Sequence, residues 1–223
     1  MKLIFAALAL GSLAAPAAAH PIQAAQTAPD LDRLVALLVP EARMIDIAMK
    51  GLETATPDPA IAALYAANPA TKPYVEAQVR PELQRVLQRE LPALRTQIAA
   101  ILTAQLTPSE VTDATVFFAS PTGQKLYAAA IGSLAGGKPD MTEAESRDAA
   151  MQAAMASLTP DDYPALMAFS ASNASKKMGA INPQIGTASK AWAARVIAEN
   201  GERMHAIALR AAQEFQKNKG AAQ

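Results

Sequence analysis

The chain contains no cysteine, only two histidines, and aromatic residues at 4% of its 223 positions. Without cysteine there is no disulfide framework, no thiol nucleophile and no thiolate metal site. With only His20 and His205 available, a transition-metal site would need carboxylates for most of its ligands. Excess charge of either sign is also missing. Twenty Lys and Arg face 20 Asp and Glu, which leaves no basic surplus to neutralise nucleic-acid phosphates. What the chain has instead is alanine, 54 residues of it. That abundance, with few β-branched residues and no sustained period-two alternation, points to helices and no sheet.

One long apolar run stands at the start. Met1-Lys2 precedes Leu3 to Leu13, and Ala17-Ala18-Ala19 comes before His20. A short positive start, an apolar stretch and an A-x-A site describe a secretory signal peptide over residues 1–19, cleaved between Ala19 and His20. The run falls short of the roughly 20 residues that span a bilayer, and no second run reaches that length. The mature protein is therefore expected in the periplasm or secreted, without a transmembrane segment. Lacking cysteine, it has no lipid attachment point. Residues 20–29 show no periodicity and read as a flexible lead-in.

The remainder, 30–219, reads as a single α-helical domain. Asp30 is placed to cap a first helix whose stripe is Leu31, Leu34, Val35 and Leu38. Met44, Ile47 and Ala48 continue the pattern after Pro40, and two prolines mark a loop over 54–59. A short helix near 61–67 ends at Asn68-Pro69. The longest element is expected from Pro73 to Gln105, with kinks or a break at Pro81 and Pro92. Helices near 108–119, 121–134, 142–157, 160–172 and 184–217 follow. Gly136-Gly137 reads as a joint, and Asn200-Gly201 as a candidate interruption of the last helix. The fold class is all-α, a multi-helix bundle of antiparallel helical hairpins.

The most informative signal is a capping unit that occurs twice. In Thr107-Pro108-Ser109-Glu110 the threonine can accept from the amide of Glu110 while the glutamate reaches back to the amide of Thr107. Pro108 fits the first helical position, where its missing N–H costs nothing. Thr159-Pro160-Asp161-Asp162 repeats the unit 52 positions later. The same offset superposes Phe117 on Phe169, Ala119 on Ala171, Ser120 on Ser172 and Lys125 on Lys177. Two readings stand at this point: an internal duplication, with a degenerate second copy over about 142–180, or two unrelated capped helices. After the first cap, Phe117-Phe118-Ala119-Ser120-Pro121-Thr122-Gly123-Gln124-Lys125-Leu126 reads as a tight corner. Ser120 caps a second helix, and Gly123 makes room for a close neighbour beside Phe118 and Leu126.

These residues carry a resemblance. Thr107 to Leu126 resembles the hallmark of an exported bacterial family catalogued as domain of unknown function 2059. That hallmark is an acidic helix start, an aromatic pair, Ser-Pro, a small residue, Gly and Lys. The resemblance extends loosely over 70–135 and implies an α-helical exported protein. It supplies no catalytic residues. In the second copy Asn173-Ala174-Ser175 replaces Pro-Thr-Gly.

Weighed as chemistry, the sequence offers little. Ser120 lacks a nucleophile elbow and precedes proline as a cap does, so a hydrolase using it with His205 or His20 is disfavoured. An N-terminal His20 could chelate copper, but its ligands are sparse. Met151, Met155 and Met167 are expected to fill core gaps. Lys176-Lys177, Glu202, Arg203, Arg210, Glu214 and Lys217 are expected to be a solvated surface. No cofactor, metal or nucleic acid is expected. The leading expectation is a non-enzymatic protein binding an envelope protein or small ligand through a groove between helices. The alternatives are a carboxylate enzyme using Glu143, Glu145, Asp161 or Asp162, where capping is the simpler account, and a structural or stress-related assembly protein. The motif residues are Thr107, Pro108, Glu110, Phe117, Phe118, Ser120, Pro121, Gly123 and Lys125.

Overall fold

The computed structural model describes residues 27–54, 58–135 and 142–220. The signal peptide, most of the 20–29 lead-in and the Gly136-Gly137 joint lie outside the described residues. Among the described residues the structure is all α-helical, apart from one 3₁₀ turn at Pro160–Asp162. The helices are α1 (Thr27–Leu38), α2 (Glu41–Thr54), α3 (Pro59–Ala67), α4 (Thr71–Gln105), α5 (Pro108–Ala119), α6 (Pro121–Ala135), α7 (Glu143–Ala156), α8 (Tyr163–Ala171) and α9 (Asn173–Gly220). No described helix is long and apolar enough to cross a membrane.

Within the helical region the chain forms two compact units. One comprises residues up to Pro40 with Ala93–Ala191; the other comprises Glu41–Pro92 with Trp192 onward. Two of the three divisions fall inside the two longest helices, after Pro92 in α4 and after Ala191 in α9, and the third lies between α1 and α2.

Both long helices are continuous through the points where the sequence suggests a kink, break or interruption. α4 is continuous across Pro81 and Pro92. α9, not α4, is the longest element. It starts at Asn173 rather than near 184, and it runs through Pro183 and through Asn200-Gly201. Asn200 would weaken an isolated helix, because its amide competes for backbone partners. Here that amide is occupied: its nitrogen donates to the Val196 carbonyl at 2.9 Å, and its oxygen accepts from Arg89 at 2.9 Å. A tertiary partner has overridden a weak local propensity.

The second unit closes around Val75, Val79, Ala211 and Ala212, with Tyr74 against Phe215 at 5.1 Å between ring centroids. Its polar links join α4 to the C-terminal part of α9. The indole of Trp192 donates to the Glu90 carbonyl at 3.1 Å. Arg195 lies 3.0 Å from the Glu90 carboxylate, and Arg203 lies 2.7 Å from that of Glu82. Arg89 also lies 2.9 Å from Glu90, and the Glu90 carboxyl is held below its usual range by Arg89 first and, against the opposing effect of burial, by Arg195. Arg203 is thus a bridging residue on a solvated face, its side chain still 61% exposed. His205 lies on the surface, 3.6 Å from Asp58.

In the first unit, Leu34 and Val35 of α1 and Leu94, Ile98 and Leu102 of α4 are buried. α6 packs along α7 through Ala130, Ala150 and Ala154, where small side chains let two helices approach closely. α1 packs along α5. Asp30 does not cap α1, since the helix already begins at Thr27. Its carboxylate instead accepts from the Thr112 hydroxyl of α5 at 2.8 Å. The far end of α1 is held by donors from other elements: Tyr127 donates to the Leu38 carbonyl and Arg95 to the Val39 carbonyl. Those are the orphan acceptors that every helix C-terminus leaves behind.

Candidate functional site

The corner is built from three residues with linked tasks. Thr107 caps α5: its hydroxyl accepts from the Glu110 amide at 3.4 Å, and Glu110 accepts from the Thr107 amide at 2.7 Å. Ser120 then serves both helices at the turn. Its amide and hydroxyl donate to the Phe117 carbonyl at 3.0 and 2.7 Å, closing α5. The same hydroxyl oxygen accepts from the Gly123 amide at 3.1 Å, opening α6. With its proton and its lone pair both engaged, Ser120 is a hinge pin. Gly123 is required by space. A Cβ there would lie 2.8 Å from the Phe117 carbonyl carbon and 2.9 Å from the Phe118 Cα, and closer still to the Phe117 oxygen. The close neighbour is thus the end of α5 itself. Pro108 and Pro121 occupy the first positions of α5 and α6, where a missing N–H is harmless.

The second capping unit differs in detail. Asp162 accepts from the Thr159 amide at 2.8 Å, but the Thr159 hydroxyl donates to Asp162 at 2.7 Å rather than accepting from its amide. Aspartate is one methylene shorter than glutamate, and here the turn tightens to 3₁₀ before α8 begins. Ser172 repeats the role of Ser120, its amide bonding to the Phe169 carbonyl and its hydroxyl receiving the Ser175 amide at 3.1 Å.

The two units are cross-connected. Lys125, after the first cap, reaches Asp162 of the second at 2.5 Å. Lys177, after the second, reaches Glu110 of the first at 2.6 Å. Both carboxylates are nearly buried, with side chains 8% and 10% exposed. Asp162 also accepts from the Thr122 hydroxyl at 2.9 Å. Between the pairs, the rings of Phe117 and Phe169 lie parallel with centroids 4.0 Å apart. Phe118 meets both edge-on, at 5.4 and 5.9 Å. Glu110 and Asp162, Phe117 and Phe169, and Lys125 and Lys177 are counterparts 52 positions apart, whereas Phe118 and Thr122 face Ser170 and Ala174 at that offset. Each acid pairs with the lysine of the other segment. Lys177 was expected in a solvated face; it is instead half of this brace.

The lysine-swapped pairs shift the carboxyls in the direction that geometry demands. Asp162 is held far below the usual carboxylate range by Lys125 first, then by the amide and hydroxyl of Thr159. For Glu110, burial pushes the carboxyl up, but Lys177 and Thr107 more than offset it and the net shift is downward. Because both folded values are depressed, their stabilisation is fully present above about pH 5, where the unfolded carboxyls are also ionised. It is lost as pH falls through the depressed values. The urea midpoint of the protein is thus expected to be level from pH 7 to about pH 5 and to fall below that. A Glu110→Gln, Asp162→Asn double variant should start lower and show a flatter acid limb. An acid limb as steep as wild type in that variant would remove the brace from the account.

Residues 92–161 match the model of one family. Its description is "Uncharacterized protein conserved in bacteria (DUF2059)". The DUF2059 match opens at Pro92, one residue before the second segment of the first unit begins, and it reaches beyond the 70–135 resemblance to take in α7. It ends at Asp161, so it contains Glu110 and Lys125 but stops before Asp162 and Lys177. No curated protein and no solved structure matches the chain.

Other sequence-derived candidates separate. Glu145 forms a capping box with Thr142, accepting from its amide at 2.7 Å, and its carboxyl is lowered by that bond. Asp161 is exposed. The Glu143 side chain and His20 lie outside what is described. No group of three or more His, Asp or Glu able to hold a metal occurs among the described residues. Two of the three methionines expected in the core are on the surface: Met155 is 52% and Met167 65% exposed. Periodicity identified an apolar stripe correctly but carried no information on whether another element covers it.

Proposed function

We propose that this is an exported, periplasmic helical protein that binds a partner in the cell envelope and performs no chemistry of its own. One observation carries the non-enzymatic part. The acids and hydroxyls of the motif are consumed in holding helices together, with Glu110, Asp162, Ser120 and Thr122 all engaged within the fold. An ionised, lysine-paired carboxylate is neither a proton donor nor a free base near neutral pH. Export rests on the sequence Met1 to Ala19 and the resemblance to an exported family.

The reading is tested by expressing the full chain in a bacterium with a periplasm and fractionating it. The periplasmic fraction should hold protein whose intact mass begins at His20. A full-length chain that stays in the cytoplasm would overturn the export reading. Turnover of an envelope substrate by the purified protein, abolished by Asp162→Asn in a folded variant, would overturn the binding one.

A further inference from the structure

α8 is apolar and almost uncovered. Seven of its nine residues, Tyr-Pro-Ala-Leu-Met-Ala-Phe-Ser-Ala, are apolar or aromatic apart from Pro and Ser, yet none is buried. Leu166 and Phe169 turn partly inward to the cluster around Phe117. The opposite side shows Tyr163, 49% exposed, and Met167, 65% exposed, with Pro164 and Ala171 also open.

The 52-residue offset shows what such a face accepts. Tyr163, Pro164 and Met167 correspond to Val111, Thr112 and Thr115 of α5. On α5 those positions lie against α1: Thr112 bonds the Asp30 carboxylate, Thr115 Oγ1 lies 3.1 Å from the Asp30 carbonyl oxygen, and Val111 and Thr115 are buried. α1 is a 12-residue amphipathic helix whose stripe includes the buried Leu34 and Val35. The face on α5 therefore carries a helix, while Tyr163, Pro164 and Met167, at the matching positions of α8, stay exposed among the described residues.

We propose that the open face of α8 seats one amphipathic helix of a partner protein, in the place that α1 takes on α5. This rests on the binding reading above and names its partner's chemistry. The area points to one helix rather than a second copy of the chain. Nine residues of helix are about 13 Å long, enough to seat one helix of a small, reversible contact but far too little for the roughly 800 Å² per partner of a stable dimer. The chemistry of the seat narrows the occupant further. The hydroxyls that receive Asp30 on α5 are replaced by Pro164 and Met167, which donate nothing. The incoming helix is then apolar along i, i+3, i+4 and i+7, and it carries no acid at the position of Asp30, since a carboxylate there would be desolvated without a partner.

The test places a photo-crosslinking amino acid at Met167, and separately at the exposed Arg147 of α7, in full-length protein in cells. Mapped by mass spectrometry, the Met167 adduct is expected on the apolar stripe of a helix in another protein. Tyr163→Glu should cut its yield about tenfold, as loss of a central contact does. Three results overturn the proposal: no adduct from Met167, an adduct with a second copy of this chain, or one mapped to a non-helical segment. Partner adducts from Arg147 alone overturn the α8 seat while leaving the binding reading intact. No adduct from either position removes the binding reading as well.

Discussion

Gly123→Ala is expected to destabilise the protein by about 3 kcal/mol or more, the upper range for overpacking against something that does not move. The added methyl would meet backbone, the Phe117 carbonyl group and the Phe118 Cα, and not the flexible end of a side chain. To make room, α5 and α6 must separate at the corner. That separation strains the bonds through which Ser120 holds both helix ends. Gly132, also within α6, provides the control, because nothing lies within 4 Å of a Cβ built there. Gly132→Ala should stabilise by about 0.5–1 kcal/mol through helix propensity alone. One substitution in one helix therefore has opposite signs nine positions apart. Thermal unfolding of the two variants measures both, and a neutral Gly123→Ala would mean that the corner is looser than described.

Phe117→Ala is expected to cost about 4 kcal/mol, in the range for removing a buried aromatic ring. Phe117 is buried in the cluster with Leu126, Ala130, Ala150 and Ala154, and it stacks on Phe169. Its loss leaves a cavity bounded by Ala130, Ala150 and Ala154 on one side, which cannot reach into it, and by Leu126, Phe118 and Phe169. Phe169→Ala should cost less, since that ring is only partly buried. The double variant should cost less than the two single losses combined by about 1 kcal/mol, because the shared stacking contact is lost once. Urea unfolding of the four proteins gives this coupling. Strict additivity would mean that the two rings are merely adjacent.

The parts of this architecture that depend on neighbours in sequence were legible there. The cap at Thr107 involves residues three apart, and the Thr-x-x-Glu spacing determines its geometry. The corner at Ser120 is similarly local. What the sequence left open depends on partners far along the chain. The offset of 52 aligned Glu110 with Asp162 and Lys125 with Lys177, but no local pattern says that each acid takes the other segment's lysine. Asn200-Gly201 looks like an interruption until Arg89, 111 positions away, is seen to bond the asparagine. Asp30 has the composition of a cap and is instead bound by Thr112 across a helix interface. Met167 lies on an apolar stripe, and only the fold shows that nothing described lies over it.

The Thr107–Leu126 motif builds the corner of the scaffold, and the proposal above assigns the partner surface to α8. The most direct test of that division repeats the Met167 crosslinking in two variants shown to be folded by circular dichroism. Lys125→Met breaks one arm of the brace, and Tyr163→Glu alters the α8 face. The account predicts that Lys125→Met keeps the partner adduct at wild-type yield while Tyr163→Glu loses it. A folded Lys125→Met protein that loses the partner, beside a Tyr163→Glu protein that keeps it, would make the corner itself the binding site and contradict the account.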